Sequence, residues 1–356
     1  MTQEGVTQES TATPESTGRG QWTVAGAYEE APGVHRVPLP LPNDGLRAVN
    51  VYVLVGADGA TLIDAGWAIP EARTALVAGL ELIGLTLSDV RRFLVTHIHR
   101  DHYQQAVVLR DEFGMPVGLG AGEQASLELL RQPGRKPLQQ QVHSLRVMGA
   151  TELSDQLAAF LSSDRTIEDL EWPLPDEWLR PGSLETAGRS LDVVETPGHT
   201  RGHVVFHDVD AGLLFAGDHV LPTITPSIGF EPALSPNPLG DFLSSLAAVR
   251  ARPDAMLLAA HGPVAPSVHA RVDELVAHHG RRLDETEQAV SRGATTAYEV
   301  AGQLKWTRRE RPLADLDSFN QMLAIAETGA HLDLLVAQGR ASVSEVDEVR
   351  HYSVSA

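Results

Sequence analysis

The stretch 95–106 reads VTHIHRDHYQQA and crowds His97, His99 and His102 together with Asp101 into six residues, directly after an apolar run. A buried imidazole needs a partner for each ring nitrogen, so packing alone is a poor reason for such density. Something must bind there. The preceding RRFLVT reads as a buried strand, and residues 101–113 read as a helix with Ala106, Leu109 and Phe113 on one face and Gly114 placed to end it. His97 and His99, two apart, share one side of an extended segment, whereas Asp101 and His102 fall where the helix begins and point to a second position. Two adjacent metal ions suit this pattern better than one. The chain contains no cysteine, so a metal site here is built from imidazole and carboxylate alone.

Three further segments set a ligand-type side chain just where an apolar strand stops: LDVVETPG leads to His199, GLLFAG to Asp218 and MLLAA to His261. Strands of one sheet carry their ends to one edge, so these loops can converge. The seven donors divide into His97, His99 and His199 on one side and Asp101, His102 and His261 on the other, with Asp218 shared, because a carboxylate bridges two cations and an imidazole does not. Asp101 is also a candidate for orienting the nucleophile. His203 reads equally well as a pocket residue with a catalytic role and as a hydrogen-bonded histidine opening the next strand. His219 is a weaker candidate, Tyr103 reads as packing, and Asp64 reads as a carboxylate that orients a ligand loop. His143, His207, His269, His278, His279 and His331 lie on strand or helix patterns and read as packed or solvated, and Arg131, Arg135 and Lys136 as an exposed basic loop.

Around these motifs the chain divides into a polar, disordered tail (1–20), an α/β catalytic domain (21–268) and a C-terminal helical domain (269–356). Residues 48–56 and 60–67 read as a hairpin across Asp58-Gly59, followed by a helix opening at Pro70. Between about 121 and 180 two helical patterns break the strand rhythm and read as an inserted cap; strands resume at LDVVETP, with a hairpin across Asp210-Ala211-Gly212. Thr296 with Glu299 makes a capping box, a longer helix runs from about Asp317 to Gly339, and the weakly strand-like tail suggests a short wing.

The set THIHRDH, TPGHTRGH, AGDH and AHGP, in this order, resembles the metallo-β-lactamase superfamily over about residues 34–265, with Asp64 of LIDAG matching an early strand motif. The resemblance implies a four-layer αβ/βα sandwich with a metal pair at one edge of the sheets. The C-terminal region is similar to the appended, possibly winged-helix-like, domain of thioesterase-type and ribonuclease-type members. Tyr103, Gln104 and Gln105 stand where members often carry glycine, and the absence of a cysteine ligand makes a β-lactam a poor substrate expectation.

Two cations sharing a water give hydroxide at neutral pH, so the expected activity is hydrolysis of an acyl bond (thioester, ester or lactone) of a small molecule, with zinc foremost and iron or manganese as alternatives. The other readings are an RNA phosphodiesterase and a non-hydrolytic di-iron redox or binding protein. A net charge of −19 speaks against nucleic acid as a partner, and residues 269–356 carry ten Lys/Arg against fourteen Asp/Glu. No segment reaches the roughly 18–20 apolar residues of a membrane span, and no leader is evident, so a cytoplasmic protein without a membrane partner is expected; the oligomeric state is open, a homodimer included.

Overall fold

The computed structural model describes residues 21–42, 45–135, 138–163 and 172–355; the expected tail, 1–20, lies outside the described residues. Seven strands form a first sheet in chain order: β1 (Tyr28–Ala31), β2 (Val34–Pro40), β3 (Ala48–Gly56), β4 (Gly59–Ile63), β5 (Val90–Val95), β6 (Val117–Gly120) and β7 (Glu177–Leu179). β1 to β4 are antiparallel and β4 to β7 parallel. A second sheet of β8 (Gly182–Thr186), β9 (Arg189–Glu195), β10 (Val204–Asp208), β11 (Leu213–Gly217) and β12 (Met256–Ala259) has the order β12-β11-β10-β9-β8. β10 is antiparallel to both β9 and β11, and β12 is parallel to β11, so β9, β11 and β12 all end at the same edge.

Period-two side-chain alternation builds the layers. On β3, Val49, Val51 and Val53 pack outward with Leu76 and Leu80 of helix α1 (Pro70–Leu82) and with Tyr103, Ala106 and Leu109 of α2 (Arg100–Phe113). Tyr52 and Leu54 face the other way, into a central layer with Phe206, Phe215 and Leu258 of the second sheet. On that sheet Val205, Leu214, Ala216 and Leu257 turn out toward further helices. Because both faces are covered, the central strands are nearly unbroken apolar runs, each fully buried Val, Leu or Phe contributing about 1.5–3 kcal/mol. The expected hairpin is β3–β4, α1 opens on Pro70, and Gly114 caps α2 in the left-handed conformation at φ 82°.

The stretch 121–180 differs from a free cap. It holds α3 (Gln124–Leu130), α4 (Gln139–Val147) and α5 (Thr151–Ser163), and it also returns β7 to the sheet edge. β7 and the largely exposed β8 precede the point where strands were expected to resume; three residues are too few for period two to show. Leu145, Ala150 and Leu153 of the insertion share one core with Ala289, Val300, Ile325 and Tyr352 of the C-terminal region. After α6 (Pro238–Arg250) that region comprises α7 (Val268–Ser291), α8 (Ala297–Gln303), α9 (Ser318–Ala337) and a wing-like hairpin of β13 (Ala341–Val346) and β14 (Val349–Val354). The Thr296–Glu299 capping box forms at α8, and Asp317 caps α9. α7 and α9 also share a core with α6 and the second sheet, through Val272, Leu275 and Leu334. Among the described residues no helix is long and apolar enough to cross a membrane.

Asn50 ties the sheets together beneath the site. Its amide donates to the carbonyls of Ala259 (3.0 Å) and Gly262 (2.9 Å), its backbone N–H donates to Ala260 (2.7 Å), and its own side-chain carbonyl accepts from Arg36. Replacing it by Ala takes the side-chain donor from the buried Gly262 carbonyl and leaves the Ala259 carbonyl with the Tyr52 hydroxyl alone, on the two sides of His261. Asn50→Ala is expected to lower unfolding stability in urea by roughly 2–4 kcal/mol; a change under about 0.5 kcal/mol would contradict this role.

Candidate metal centre

All seven donors named from the sequence meet at the strand-end edge. His97 and His99 follow β5, Asp101 and His102 lie in the first turn of α2, and His199, Asp218 and His261 follow β9, β11 and β12. Ligand atoms of His97, His99 and His199 lie within 4.8 Å of one another, as do those of Asp101, His102 and His261. Asp218 stands between the groups: Oδ2 is 3.5 Å from His199 Nε2, while Oδ1 is 3.4 Å from His261 Nε2 and 3.7 Å from His102 Nε2. Asp101 Oδ2 lies 3.3 Å from His261 Nε2 and 3.6 Å from His102 Nε2, and its side chain, 15% exposed, is the most accessible of these carboxylates.

Hydrogen bonds behind the rings fix which nitrogen keeps its lone pair. His199 Nδ1 donates to the Ser227 carbonyl (2.8 Å) and His261 Nδ1 to that of Ala48 (2.7 Å), leaving Nε2 of each as an acceptor. His102 Nδ1 faces Asp64 Oδ2 at 2.9 Å. Thr96 spends its hydroxyl proton on Asp64, so His97 Nδ1, 3.1 Å away, donates to that oxygen and its Nε2 is also bare. His99 Nδ1 then faces His97 Nε2 at 3.0 Å and His199 Nε2 at 3.1 Å. His102 Nε2, His261 Nε2 and Asp218 Oδ1 are buried without any hydrogen-bond partner. Lone pairs crowded together among buried side chains repel, and a cation in each group relieves them. The residues fit a pair of divalent ions.

The protonation states agree. Burial, reinforced by neighbouring rings, holds His97 well below the usual histidine value and brings His99 to about 3 and His199 to about 4, so all three are neutral ligands at pH 7. For His102, burial is outweighed by Asp64, Asp101 and Asp218, which together push the ring up to about 10. Burial alone would raise Asp101, yet His102, His261 and His99 outweigh it and keep the carboxyl below the ordinary range. Positive charge is therefore favoured on the His102 side, where a proton occupies a place that a metal ion can take.

Asp64 sits behind this cluster at φ 61°, a conformation rare outside glycine, and accepts from Thr96 N–H (2.8 Å) as well as from Thr96 Oγ1 and His102. His203 differs from the expected pocket residue. It is fully buried behind Asp218, with Nδ1 2.8 Å from Thr196 Oγ1 and Nε2 accepting from the Asp218 N–H at 3.1 Å, so neither nitrogen is left for a substrate. His219 is buried against Phe242, and Tyr103 donates to the Pro173 carbonyl.

Glu123, unread in the sequence, joins two ligand loops. Its Oε1 accepts from the Ile98 N–H, between His97 and His99, and from the Thr200 hydroxyl, beside His199. Gly122 and Gly202 permit the contact, since a Cβ on Gly202 would lie 2.0 Å from the Glu123 nitrogen. Burial, with a contribution from the nearby Glu231 carboxylate, pushes Glu123 up to about 8. A lone glutamate opening a short helix has no spacing signature, which is why only the fold shows it.

Two helix-covered sheets with paired imidazole and carboxylate donors at their common edge make an αβ/βα fold with a candidate centre for two metal ions. The family model described as the metallo-beta-lactamase superfamily matches residues 44–261, and the chain belongs to that superfamily. Among curated proteins, the chain is 26% identical over 313 residues to the probable metallo-hydrolase YqjP of Bacillus subtilis (strain 168), covering 85% of this chain and 91% of that one. It is 32% identical over 149 residues to a hydroxyacylglutathione hydrolase of Rhizobium meliloti (strain 1021), covering 42% of this chain and 40% of the relative. Among solved structures, a metallo-beta-lactamase family protein from Thermus thermophilus superposes with a TM-score of 0.73 at 29% identity, covering 91% of this chain and 99% of that one. A beta-lactamase domain protein from Burkholderia ambifaria gives a TM-score of 0.73 at 26% identity over 93% and 96%. Coverage of this breadth carries the likeness beyond residues 44–261, into the C-terminal helices.

Two outcomes test the supports. Asp64→Ala frees the His102 ring and the Thr96 backbone and is expected to weaken metal binding about 10–100-fold in a chelator competition, whereas unchanged affinity would contradict its orienting role. Glu123 titrates later in the folded chain than the ordinary carboxyl value of 4.5, so the unfolded state releases its proton first and stability falls as pH rises from there to about 8. Glu123→Gln keeps an acceptor but cannot ionise: its melting temperature is expected to gain on the wild type between pH 5 and pH 8, and a constant difference would count against the assignment.

Proposed function

We propose that this protein hydrolyses an acyl bond of a small molecule, a thioester in the first place and otherwise an ester or lactone, using two divalent metal ions, zinc foremost. The observation that carries the reading is the pair of donor groups sharing Asp218, with lone pairs turned inward and three donor atoms left unpartnered. When bound there, two such ions supply Lewis acidity and water ionised near neutral pH. Support for a thioester comes from the partial likeness to hydroxyacylglutathione hydrolase.

The chain's own residues then have distinct tasks. His97, His99 and His199 would hold one ion and Asp101, His102 and His261 the other, with Asp218 available to both. Asp101 is the carboxylate best placed to accept a hydrogen bond from the attacking oxygen and to orient it, being the most accessible of the three acids that face His102. His203 acts through Asp218, whose backbone N–H it holds, and is a positioning residue rather than a catalytic one. Outside the donor cluster, the Arg100 guanidinium lies 4.2 Å over the Trp67 ring.

The test is a hydrolysis panel of acyl-thioesters, esters, lactones and phosphodiesters on metal-quantified protein, with His99→Ala as control. Acyl turnover is expected in the wild type. His99→Ala is expected to lose nearly all of it together with most bound metal while remaining folded by circular dichroism. Full metal occupancy with retained turnover in His99→Ala would overturn the ligand assignment, and turnover of phosphodiesters alone would overturn the substrate class.

A further inference from the structure

A second group of metal-type donors lies where α7 meets α9, on residues that the sequence pattern leaves as ordinary helix histidines. One ring nitrogen each from His278 and His279 and one carboxylate oxygen of Glu327 lie within 4.8 Å of one another. The hydrogen bonds behind them fix the state of the buried ring. His331, one turn beyond Glu327 on α9, has Nδ1 2.8 Å from the Glu327 backbone carbonyl, which can only accept, so the proton is on Nδ1 and Nε2 carries a lone pair. His279 Nδ1 lies 3.2 Å from that Nε2 and must donate to it. Its own Nε2 is therefore a bare acceptor, and it is buried with no partner on a side chain of 0% exposure.

A buried acceptor that no protein donor reaches calls for a partner from outside the chain, and beside a second imidazole and a carboxylate a metal cation fills that role. A proton does not serve at neutral pH, because burial and the rings of His331 and His278 bring His279 down to about 2. The charged groups around the cluster do not preclude a cation. Arg282 is stacked 4.5 Å over Trp306 and donates to Glu285 and to the Lys305 carbonyl, while Arg271 is spent on Glu274 and on the carbonyls of Leu221 and Ile224. Arg281 adds positive charge beside His278 and Glu285 opposes it. Glu327 is held above the ordinary carboxyl range by burial, offset in part by Arg282, and a bound cation gives that carboxylate a counter-charge.

We propose that His278, His279 and Glu327 form a third divalent-metal site, separate from the pair at the sheet edge, which takes a zinc-like transition ion through two imidazoles and a carboxylate, with His331 orienting His279. Two nitrogens and one oxygen favour zinc, nickel or copper over magnesium or calcium. The site would bind α7 to α9. It lies close behind the sheet-edge centre: the His279 ring rests on Phe242 at 5.5 Å, and Phe242 in turn rests on His219, next to Asp218, at 5.2 Å.

The test counts zinc on the full chain, stripped with chelator and titrated with Zn2+ against a chromophoric competitor. Because His279 is buried, the variants are His278→Gln and Glu327→Gln at the more accessible positions, each checked for fold by circular dichroism. The wild type is expected to bind one zinc per chain more than either variant, and zinc is expected to raise the melting temperature of the wild type by more than that of the variants. His99→Ala is expected to lose zinc from the sheet edge while the decrement caused by Glu327→Gln persists in its background, so the two sites are read independently. Equal zinc counts in wild type, His278→Gln and Glu327→Gln would overturn the proposal.

Discussion

Lone pairs turned toward one another among buried side chains are the constraint around which this molecule is arranged. Each hydrogen bond behind the ligand rings, to Ser227, Ala48, Thr96 or Asp64, places a proton on the far nitrogen and so commits the near one to the cluster. Without positive charge such a centre is repulsive, and the three carboxylates around His102 favour a cation on that side. The donors are held in advance of any ion, which favours tight binding because little ordering remains to be done.

The fold meets the constraint by geometry. β9, β11 and β12 run the same way and β5 ends against them from the other sheet, so four loops arrive at one edge from well-packed strands. The edge is closed by backbone bonds between the sheets, Val204 N–H to Thr96 and Asn50 N–H to Ala260, and by Glu123 between the His97–His99 and His199 loops. The C-terminal helices reach the same place. Arg271 of α7 holds the Leu221 and Ile224 carbonyls, in the loop that runs from Asp218 to Ser227 and thus to the His199 ring. Insertion and C-terminal region share one core, so the inserted helices belong to a common helical body and do not form an isolated lid.

What could be read from the sequence follows from where the information lies. His97 to His102 are contiguous and follow a strand, so spacing alone exposes them, and His199, Asp218 and His261 become legible once strand ends are recognised as convergent. The apolar runs marked buried strands, and the sandwich itself was implied by the resemblance that the four ordered motifs carry. Ser227 and Ala48 act through carbonyls that every residue possesses, and no side-chain pattern marks them. Glu123 works through distant partners, β7 is three residues long, and the role of His203 depends on which side of Asp218 it occupies, which only the packing decides.

Anomalous X-ray diffraction from crystals of the zinc-loaded protein tests the central claim most directly. Two peaks at the sheet edge are predicted, one among His97, His99 and His199 and one among Asp101, His102 and His261, with Asp218 reaching both. Absence of anomalous density there in a fully loaded crystal, or metal bound only at other residues, would contradict the account.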